Sequence, residues 1–226
     1  QSLDISYRTI EGFDTEFAHD IVQNPDLHFH AANQALRQFL IDAGSPTMFP
    51  FVRINHLPSD QVRTVSQLRA DDIGQMLALD SVVTKISGVR PRIYSAQFEC
   101  MACNHTMVIN QPNEQELIEP VECEQITGGC GRAKRQTRFA LNHKESILIN
   151  SQFIELQELP EQMKGGIQPE RILCIGEHDL AGKLNPGDRV KANGVLFIRS
   201  QRKGGKDTPV FDIFLQSSHW KDKMFL

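Results

Sequence analysis

The feature that most constrains this fold is a set of four cysteines between residues 100 and 130. Two residues separate Cys100 from Cys103, and nineteen residues separate this pair from Cys123 and Cys130. Two cysteine pairs at such a separation are typical of the two loops that close a tetrahedral Zn²⁺ site. Because four thiolates leave no open coordination position, we expect a structural zinc ion rather than a catalytic one.

Other interpretations of these cysteines stay open. A redox pair would need only Cys100 and Cys103, but such pairs usually start a helix, whereas FECMACNHTMVI alternates like a strand and turn. His105 is an alternative ligand, and four buried cysteines without a metal are the plain structural alternative. The second loop is wide, with six residues between its cysteines, and it contains the flexible residues Gly128, Gly129 and Gly131. Cys174 lies alone in an apolar stretch and is interpreted as a core residue.

Charge is unevenly distributed around this segment. No Lys or Arg occurs from Ile93 to Gly131, where six glutamates fall, so a phosphate backbone would be repelled there. The acidic surface is either a solvated face or a contact with another protein. The next seven residues, RAKRQTR, reverse the charge with Arg132, Lys134, Arg135 and Arg138.

The rest of the chain divides into a helical part and a β part. From residue 1 to about residue 68 the pattern is mainly helical. In HAANQALRQFLIDAG we expect one buried helix face, formed by Ala32, Leu36, Phe39, Leu40 and Ala43, and an end at Gly44. Segments rich in Val and Ile lie on both sides of the cysteines, which favours a small OB-type barrel with an insertion.

A basic hairpin is predicted in FIRSQRKGGKDTPVFDI. Two β segments flank a Gly-Gly turn, and the cations on its arms and tip are Arg199, Arg202, Lys203 and Lys206. The whole chain has a net charge of −4, so any contact with nucleic acid must be local. The alternative is a solvated hairpin whose charges only prevent edge pairing.

Several classes of protein are disfavoured. No apolar run approaches the ~20 residues that a membrane span needs, and QSLDISYRTIEGF lacks the pattern of a signal peptide. The cysteines are therefore expected to be thiols or metal ligands in a reducing compartment. A zinc enzyme is disfavoured because no His or carboxylate stands at ligand spacing beside an open coordination position.

Four stretches resemble, in the same order, the N-terminal region of the minichromosome maintenance (MCM) replicative helicases. They are FVRINHLP, LALDSVVTKISGVRPR leading into FECMACNHT, LQELPEQMKGGIQPERI, and HDLAGKLNPGDRVKANGVL. The resemblance implies one subunit of a ring, usually a hexamer, that encircles DNA, with zinc lobes that help two rings meet as a double hexamer. The implied partners are single- and double-stranded DNA without sequence preference, further copies of the chain and other replication-initiation proteins, but no membrane. The resemblance favours an archaeal, cytoplasmic protein; a eukaryotic member would be nuclear.

The resemblance also implies roles for particular residues. The hairpin from Arg199 to Lys206 would face the DNA channel. Related sequences often have a basic residue where this chain has Phe153 or Glu155, so the expected barrel contacts with DNA are Lys85, Arg90 and Arg92. The loop that communicates with the ATPase domain of such proteins would include Glu158, Gly165, Gly166, Pro169 and Arg171.

The expected fold is mostly β, of the α+β class. It has an N-terminal helical bundle (1–70), an OB-type barrel (71–96 and 136–220) with its hairpin at about 198–211, an inserted zinc-binding lobe (97–135), and a tail (221–226) that leads to an absent ATPase domain. No G-x-x-x-x-G-K-[ST] loop occurs, so ATP and Mg²⁺ belong to the motor domain and this portion is expected to be inactive alone. The alternative function is a zinc-ribbon and OB protein that binds single-stranded nucleic acid outside replication.

Overall fold

The computed structural model describes residues 2–45, 50–111, 117–162, 168–203 and 206–222. The helices are α1 (Tyr7–Phe13), α2 (Thr15–Gln23) and α3 (Pro25–Asp42). The strands are β1 (Ser2–Ser6), β2 (Phe51–Asn55), β3 (Val62–Arg63), β4 (Met76–Ile86), β5 (Arg90–Cys100), β6 (Thr106–Asn110), β7 (Phe139–Glu158), β8 (Arg171–Glu177), β9 (Arg189–Lys203) and β10 (Lys206–Asp222). Two compact units divide the chain, one of residues 1–89 with 152–226 and one of residues 90–151.

A closed barrel forms the centre of the first unit. Strand β4 pairs antiparallel with β9 on one side and with the second half of β7 on the other. Strand β9 pairs antiparallel with β10, and β10 pairs parallel with β8, which neighbours β7. The five strands thus form a ring of hydrogen-bonded neighbours, and the predicted OB-type barrel is confirmed.

The barrel core explains why β4 begins with the apolar run Met-Leu-Ala-Leu. Leu77 and Leu79 point into the barrel, where they pack with core residues that include Ile154, Leu196 and Leu215. The alternate residues Met76 and Ala78 pack outside, against the helices. A strand that is covered on both faces needs apolar residues at every position, so the run does not alternate.

Helices α1 and α2 cover this outer surface. The side chain of Asp14 caps α2 by accepting a hydrogen bond from the backbone N–H of Phe17 at 3.0 Å. Ala18, Ile21 and Val22 of α2 are buried with Tyr7 of α1. Burial of this shared face, rather than helix propensity, holds such short helices.

The N-terminal 70 residues are less helical than expected. Strands β1 and β2 pair in parallel as a separate two-stranded sheet. Asn33 of α3 holds this sheet in place, because its side-chain oxygen accepts the backbone N–H of Val52 at 2.8 Å. Residue propensity alone does not reveal such a strand pair, because its partners are far apart in the chain.

The prediction that one face of α3 is buried is wrong. Phe39 is 67% exposed, Ala43 is exposed as well, and Ala32, Leu36 and Leu40 are only half-buried. Pro25 is the buried residue of this helix. The predicted end is confirmed, since α3 stops at Asp42 and Gly44 adopts a φ of 78° that favours glycine. Among the described residues, no helix is long and apolar enough to cross a membrane.

An ion pair between a buried arginine and a half-buried aspartate fastens the β1–β2 sheet to the barrel. Arg53 of β2 is 5% exposed and contacts Asp179, which follows β8. The guanidinium group also donates to the backbone oxygen of Ser218 at 2.8 Å, and the hydroxyl of Ser2 donates to Asp179 at 2.9 Å. Burial opposes ionisation of Asp179, but the hydrogen bond and the positive charge of Arg53 outweigh it and lower its pKa to about 2.

This pair predicts a pH-dependent loss of stability. A carboxyl whose pKa is lowered on folding stabilises the protein above its unfolded pKa, and the contribution disappears as pH falls from about 4 to about 2. We expect Asp179→Asn to lower the free energy of unfolding by about 2 kcal/mol at neutral pH and to reduce the pH dependence in that acidic range. Urea denaturation at a series of pH values measures both. An unchanged acid dependence would contradict the assignment. Asp71→Asn, which removes an exposed carboxyl group elsewhere in the first unit, is the control.

The second unit is built from neighbouring parts of the chain. Strand β5 pairs antiparallel with β6 and with the first half of β7. One small apolar cluster of this unit consists of Cys100, Met107 and Cys123 with Phe139 packed against them. Phe98 of β5 is buried as well. The predicted insertion 97–135 lies within this unit.

Candidate metal centre and basic surfaces

The four predicted ligands form one cluster. The sulfur atoms of Cys100, Cys103, Cys123 and Cys130 all lie within 4.8 Å of one another. Two of the sulfur pairs are 3.8 and 3.7 Å apart, those of Cys100 with Cys130 and of Cys103 with Cys123. These distances are far longer than the ~2.05 Å of a disulfide bond. The cluster can hold a metal ion.

Two tight turns bring the sulfur atoms together. In the first, the backbone N–H of Asn104 donates to the oxygen of Cys100 at 2.8 Å, and Asn104 has a φ of 59°. In the second, the N–H of Gly131 donates to the oxygen of Cys123 at 3.0 Å, and the N–H of Cys130 donates to Cys123 Sγ at 3.3 Å. The wide second loop therefore folds back onto its first cysteine.

Gly129 of that second loop lies directly against the sulfur atoms. A Cβ atom on Gly129 would lie 2.5 Å from Cys123 Sγ and 2.5 Å from the backbone oxygen of Glu124. The backbone itself also turns at this point, where the N–H of Gly129 donates to that same oxygen at 2.8 Å. The loop has no room for a side chain beside the sulfur atoms.

The environment of the sulfur atoms differs across the cluster. Burial opposes ionisation of Cys100, but hydrogen bonds from the backbone of Ala102 and Cys103 outweigh it and lower its pKa to about 6. Burial raises the pKa of Cys123 to about 12. A bound cation would favour the thiolate form of Cys123. The cluster therefore has the donors of a metal site that binds its ion with release of protons.

The alternative ligand His105 and the fifth cysteine, Cys174, both lie outside the cluster. His105 is not among its four residues, and its Nε2 atom is hydrogen-bonded to the hydroxyl of Thr127 at 2.9 Å. Cys174 is fully buried in the barrel core, where burial raises its pKa. This placement agrees with its interpretation as a core residue.

The hairpin cations lie on the two long strands β9 and β10. Lys203 is opposite Lys206 and Arg202 is opposite Asp207. A bulge between Asp207 and Phe211 interrupts the pairing. The Gly-Gly turn at 204–205 lies outside the described residues. Counting the cations of the hairpin does not reveal that the acidic residue Asp207 lies opposite Arg202.

The side chain of Arg199 packs against an aromatic ring and is not free in solvent. Its guanidinium carbon lies 5.7 Å from the centre of the Phe214 ring, which in turn stacks on Phe197 at 5.8 Å. Asp212 is its cross-strand partner. The side chain is half-buried, and its Nε atom is buried without a hydrogen-bond partner among the described residues. Arg199 therefore packs at the base of the hairpin, over an aromatic pair.

The predicted barrel cations have different surroundings. Lys85 is exposed and lies opposite Glu155, whose carboxylate contacts Arg171 at 3.1 Å and the hydroxyl of Thr84 at 2.8 Å. In the second unit, Arg90 is exposed at the start of β5, whereas Arg92 is half-buried. Arg92 donates to the backbone oxygen of Gln111 at 3.0 Å.

The predicted communication loop is anchored at both ends. The backbone N–H of Glu158 donates to the oxygen of Glu170 at 3.2 Å, and Arg189 contacts Glu161 at 2.7 Å. The Glu158 carboxylate accepts the backbone N–H of Ser66 at 2.8 Å. Burial opposes its ionisation, but the hydrogen bonds from Ser66 outweigh it and lower the pKa of Glu158.

The remaining members of the predicted loop are placed less fully. Pro169 is described and is half-buried, and Gly165 and Gly166 lie outside the described residues. Arg171 begins β8 and donates to Gln157 at 3.0 Å in addition to its contact with Glu155. Arg53 and Asp179 were missed by sequence reasoning, and the only available signal was an arginine inside the apolar strand FVRIN.

Known proteins resemble this chain in sequence and in fold. A family model described as the MCM OB domain matches residues 64–200. The minichromosome maintenance protein MCM of Saccharolobus solfataricus is 28% identical over 226 residues, which cover 96% of this chain and 32% of that protein. The DNA replication licensing factor MCM4 of Drosophila melanogaster is 22% identical over 94% of this chain and 24% of its own length.

A crystal structure of the N-terminal domain of an archaeal MCM has the same fold. It is 28% identical to this chain, with a TM-score of 0.84, and the match covers 99% of this chain and 87% of that one. The chain spans about a third of the first curated relative and about a quarter of the second. Since the family model covers more than half of the sequence, the chain belongs to the MCM family.

Proposed function

We propose that this chain is the N-terminal DNA-binding and ring-assembly region of an MCM replicative helicase. The observation that carries the proposal is the match of nearly the whole chain to the N-terminal domain of an archaeal MCM, in sequence and in fold. In this function the chain is one subunit of a hexamer or double hexamer that encircles single- or double-stranded DNA. It works beside other replication-initiation proteins, in the cytoplasm of an archaeon or the nucleus of a eukaryote.

Each part of the chain has a role in this proposal. In the proposed division, residues 1–70 are the helical subdomain, 71–96 and 136–220 the barrel, and 97–135 the lobe that supports assembly of rings. Residues 90–96 and 136–151 belong to the second compact unit and not to the ring of five strands. Motor activity, ATP and Mg²⁺ belong to the ATPase domain of the helicase. A nucleic-acid-binding protein outside replication is not favoured, because the curated relatives named above carry replication and chromosome maintenance in their names.

The cysteine cluster fits a structural Zn²⁺ ion. Zn–S bonds of about 2.3 Å in a regular tetrahedron place neighbouring sulfur atoms about 3.8 Å apart. The observed separations of 3.8 and 3.7 Å agree with this edge length. When bound, the ion would cross-link the two cysteine loops. It would not activate water or a substrate, because four thiolates occupy every position of the tetrahedron.

The loop anchored by Glu158 is proposed to communicate with the motor domain. Its two limbs are joined by the hydrogen bond from Glu158 to Glu170. The Glu158 carboxylate holds the turn at Ser66, and the Arg189–Glu161 pair holds the first limb to β9. A displacement of this loop, which includes Gly165 and Gly166, would therefore be transmitted to the turn at Ser66 and to strand β9 of the barrel.

The hairpin is proposed to contact DNA phosphates. Arg202, Lys203 and Lys206 are the cations near its tip, whereas Arg199 packs against Phe214. Lys85 and Arg90 are exposed and are secondary candidates. Arg92 is a weaker one, because its side chain is engaged with the Gln111 backbone.

Replacing Arg202, Lys203 and Lys206 with Ala tests the hairpin. Binding to all sequences should weaken alike, because phosphates are the same in every sequence. The slope of log affinity against log salt should flatten by roughly 0.9 per lost contact on duplex DNA, or roughly 0.7 on single strands. Fluorescence anisotropy with labelled oligonucleotides at several salt concentrations measures both quantities.

The control removes two exposed cations from the helices instead. Arg8→Ala with Arg37→Ala should leave the affinity and the slope close to those of the parent. Sizing of the parent protein by light scattering tests ring assembly, for which a hexamer is expected. Equal affinity and slope for the parent and the triple variant would remove the hairpin from the DNA site.

A further inference from the structure

A basic turn, defined here as Arg132–Arg138, lies beside the cysteine cluster and is not used by the function proposed above. The backbone N–H groups of Gln136 and Thr137 both donate to the oxygen of Ala133, at 2.8 and 3.2 Å. The side chain of Gln136 accepts the N–H of Ala133 at 3.2 Å. The turn is thus a closed, internally hydrogen-bonded structure, and its four cationic side chains are exposed.

Both ends of the basic turn are attached to the cysteine loops. The backbone oxygen of Arg132 accepts the N–H of Cys123 at 2.9 Å, and that of Arg138 accepts the N–H of Met101 at 3.0 Å. The hydroxyl of Thr137 lies 3.8 Å from Cys100 Sγ. One end is therefore fastened to each loop of the cluster, so the shape of the turn depends on the cluster being closed.

The charge on the basic turn is only partly compensated. Lys134 contacts Glu119 at 2.7 Å, and Glu122 lies opposite Ala133 in an isolated bridge. Among the described residues, no carboxylate lies within ion-pair distance of the guanidinium groups of Arg132, Arg135 or Arg138. Three exposed arginines thus remain available on a turn whose backbone is fixed.

Arginine side chains on a fixed backbone suit phosphate groups. The guanidinium group is always charged and offers a planar fork that matches two phosphate oxygens. A turn has no groove that would read base edges, so the recognition would be independent of sequence. An acidic protein is the competing partner, but the chain's proposed role on DNA favours a nucleic acid backbone.

We propose that the basic turn is a second DNA-binding surface, in which Arg132, Arg135 and Arg138 contact backbone phosphates and the metal-loaded cysteine cluster holds the turn in shape. The proposal rests on the DNA-binding function proposed above and adds a contact that is separate from the hairpin. The expected repulsion of phosphates concerned residues 93–131, which carry the glutamates, and this turn follows them. The acidic residues remain repulsive, while the turn offers an attractive surface beside them.

The test replaces the three arginines with Gln, which is close to arginine in length but neutral. The probes are a labelled duplex and a labelled oligothymidylate, and anisotropy is read across a salt series. We expect weaker binding of both probes and a salt slope on duplex that is flatter by roughly 2 to 3, or about 0.9 per contact. The three Arg→Lys changes should largely retain the slope, and Lys144→Gln, an exposed cation of the same unit, should change it little.

Removal of the metal tests separately whether the cysteine cluster holds the basic turn in shape. Chelation should weaken DNA binding of the parent about as much as the triple Gln variant does, and should weaken that variant little further. Glu119→Gln should release Lys134 and strengthen binding of both probes, whereas the same change combined with Lys134→Gln should give a smaller gain. Metal content is measured for every variant, so that loss of the lobe is not mistaken for loss of contacts.

The outcomes separate the two proposals. A triple Gln variant that keeps its metal and binds both probes with the parent's affinity and slope would overturn the basic turn as a DNA surface. If the hairpin variant then still weakened binding, the proposed function would stand. If neither variant changed binding, both would fail. Loss of polyglutamate binding in the triple variant, with DNA binding intact, would overturn the proposal in favour of an acidic protein partner.

Discussion

Cys123→Ser is expected to abolish metal binding and to unfold the segment around the cysteine cluster. Cys123 is fully buried, and its sulfur accepts the N–H of Cys130 and lies 3.7 Å from the sulfur of Cys103. Cys123 shares only a small apolar cluster with Cys100, Met107 and Phe139, so we expect the metal to supply much of the stability of the two cysteine loops. Apparent zinc-binding free energies in zinc-finger peptides are about 10–16 kcal/mol at pH 7, which is why loss of one ligand has a large effect.

Metal analysis and hydrogen exchange measure this effect. The parent should carry about one zinc ion per chain, the Cys123→Ser protein none, and amide protection should fall from about residue 98 to 138 while the barrel strands stay protected. Gly129→Ala should have a similar effect without removing a ligand, because its Cβ would collide with Cys123 Sγ. Cys174→Ser and His105→Ala are the controls that should keep the metal. Freshly prepared parent protein without zinc would end the assignment.

Gly194→Ala is expected to be the most destabilising small substitution in the barrel. A Cβ atom there would lie 2.4 Å from the backbone oxygen of Gln216 and 3.0 Å from the side chain of Leu215. Gly194 pairs with Ser217 across β9 and β10, beside a bulge between Ser217 and His219. The strands must move apart to admit the methyl group, so we expect a loss of about 3 kcal/mol in the free energy of unfolding.

A second glycine provides the matched control. Gly12 lies in α1, and a Cβ atom there meets nothing within 4 Å. Gly12→Ala should therefore leave stability unchanged or raise it by up to about 1 kcal/mol, because alanine loses less backbone entropy in a helix. Urea denaturation of the two variants measures the contrast. A Gly194→Ala protein as stable as the parent would show that the strands can separate at this point without cost.

Short-range patterns were enough to predict the cysteine cluster and the barrel. Cysteine spacing specifies a small site because the ligands lie in two turns, and β segments on both sides of an insertion leave few ways to bury their apolar faces. The clustering of Cys100, Cys103, Cys123 and Cys130 and the OB-type barrel are confirmed. The end of α3 was also readable, since Gly44 stands where a positive φ is required.

The error at α3 has a different origin. Periodicity shows which side of a helix is apolar, but it does not show whether another element covers that side. Within the described residues, α1, α2 and Phe29 near the start of α3 cover the barrel, whereas Phe39 further along α3 stays 67% exposed. The pattern was therefore correct for a helix and wrong for its burial.

Contacts between distant parts of the chain escaped sequence reasoning. Arg53 and Asp179 meet only because β2 and the end of β8 come together in the fold. The same limit applies to Arg199, which was counted as a hairpin cation and packs over Phe214. A charge count gives the net charge of a segment, whereas the partner of each charge depends on strand register.

The closure of the barrel through β4 has a consequence for the order in which the chain acquires structure. Strand β4 ends at Ile86, and its only near partner in the described chain is the two-residue strand β3. Its long pairings are with the second half of β7 and with strand β9, which begins only at Arg189. The strands of residues 90–151, by contrast, pair with near neighbours. Because distant pairings form slowly, we expect the cysteine loops to close before the edge of β4 that pairs with β9 is covered. Until β9 has been synthesised, that open strand edge is a place where another chain could pair and aggregate.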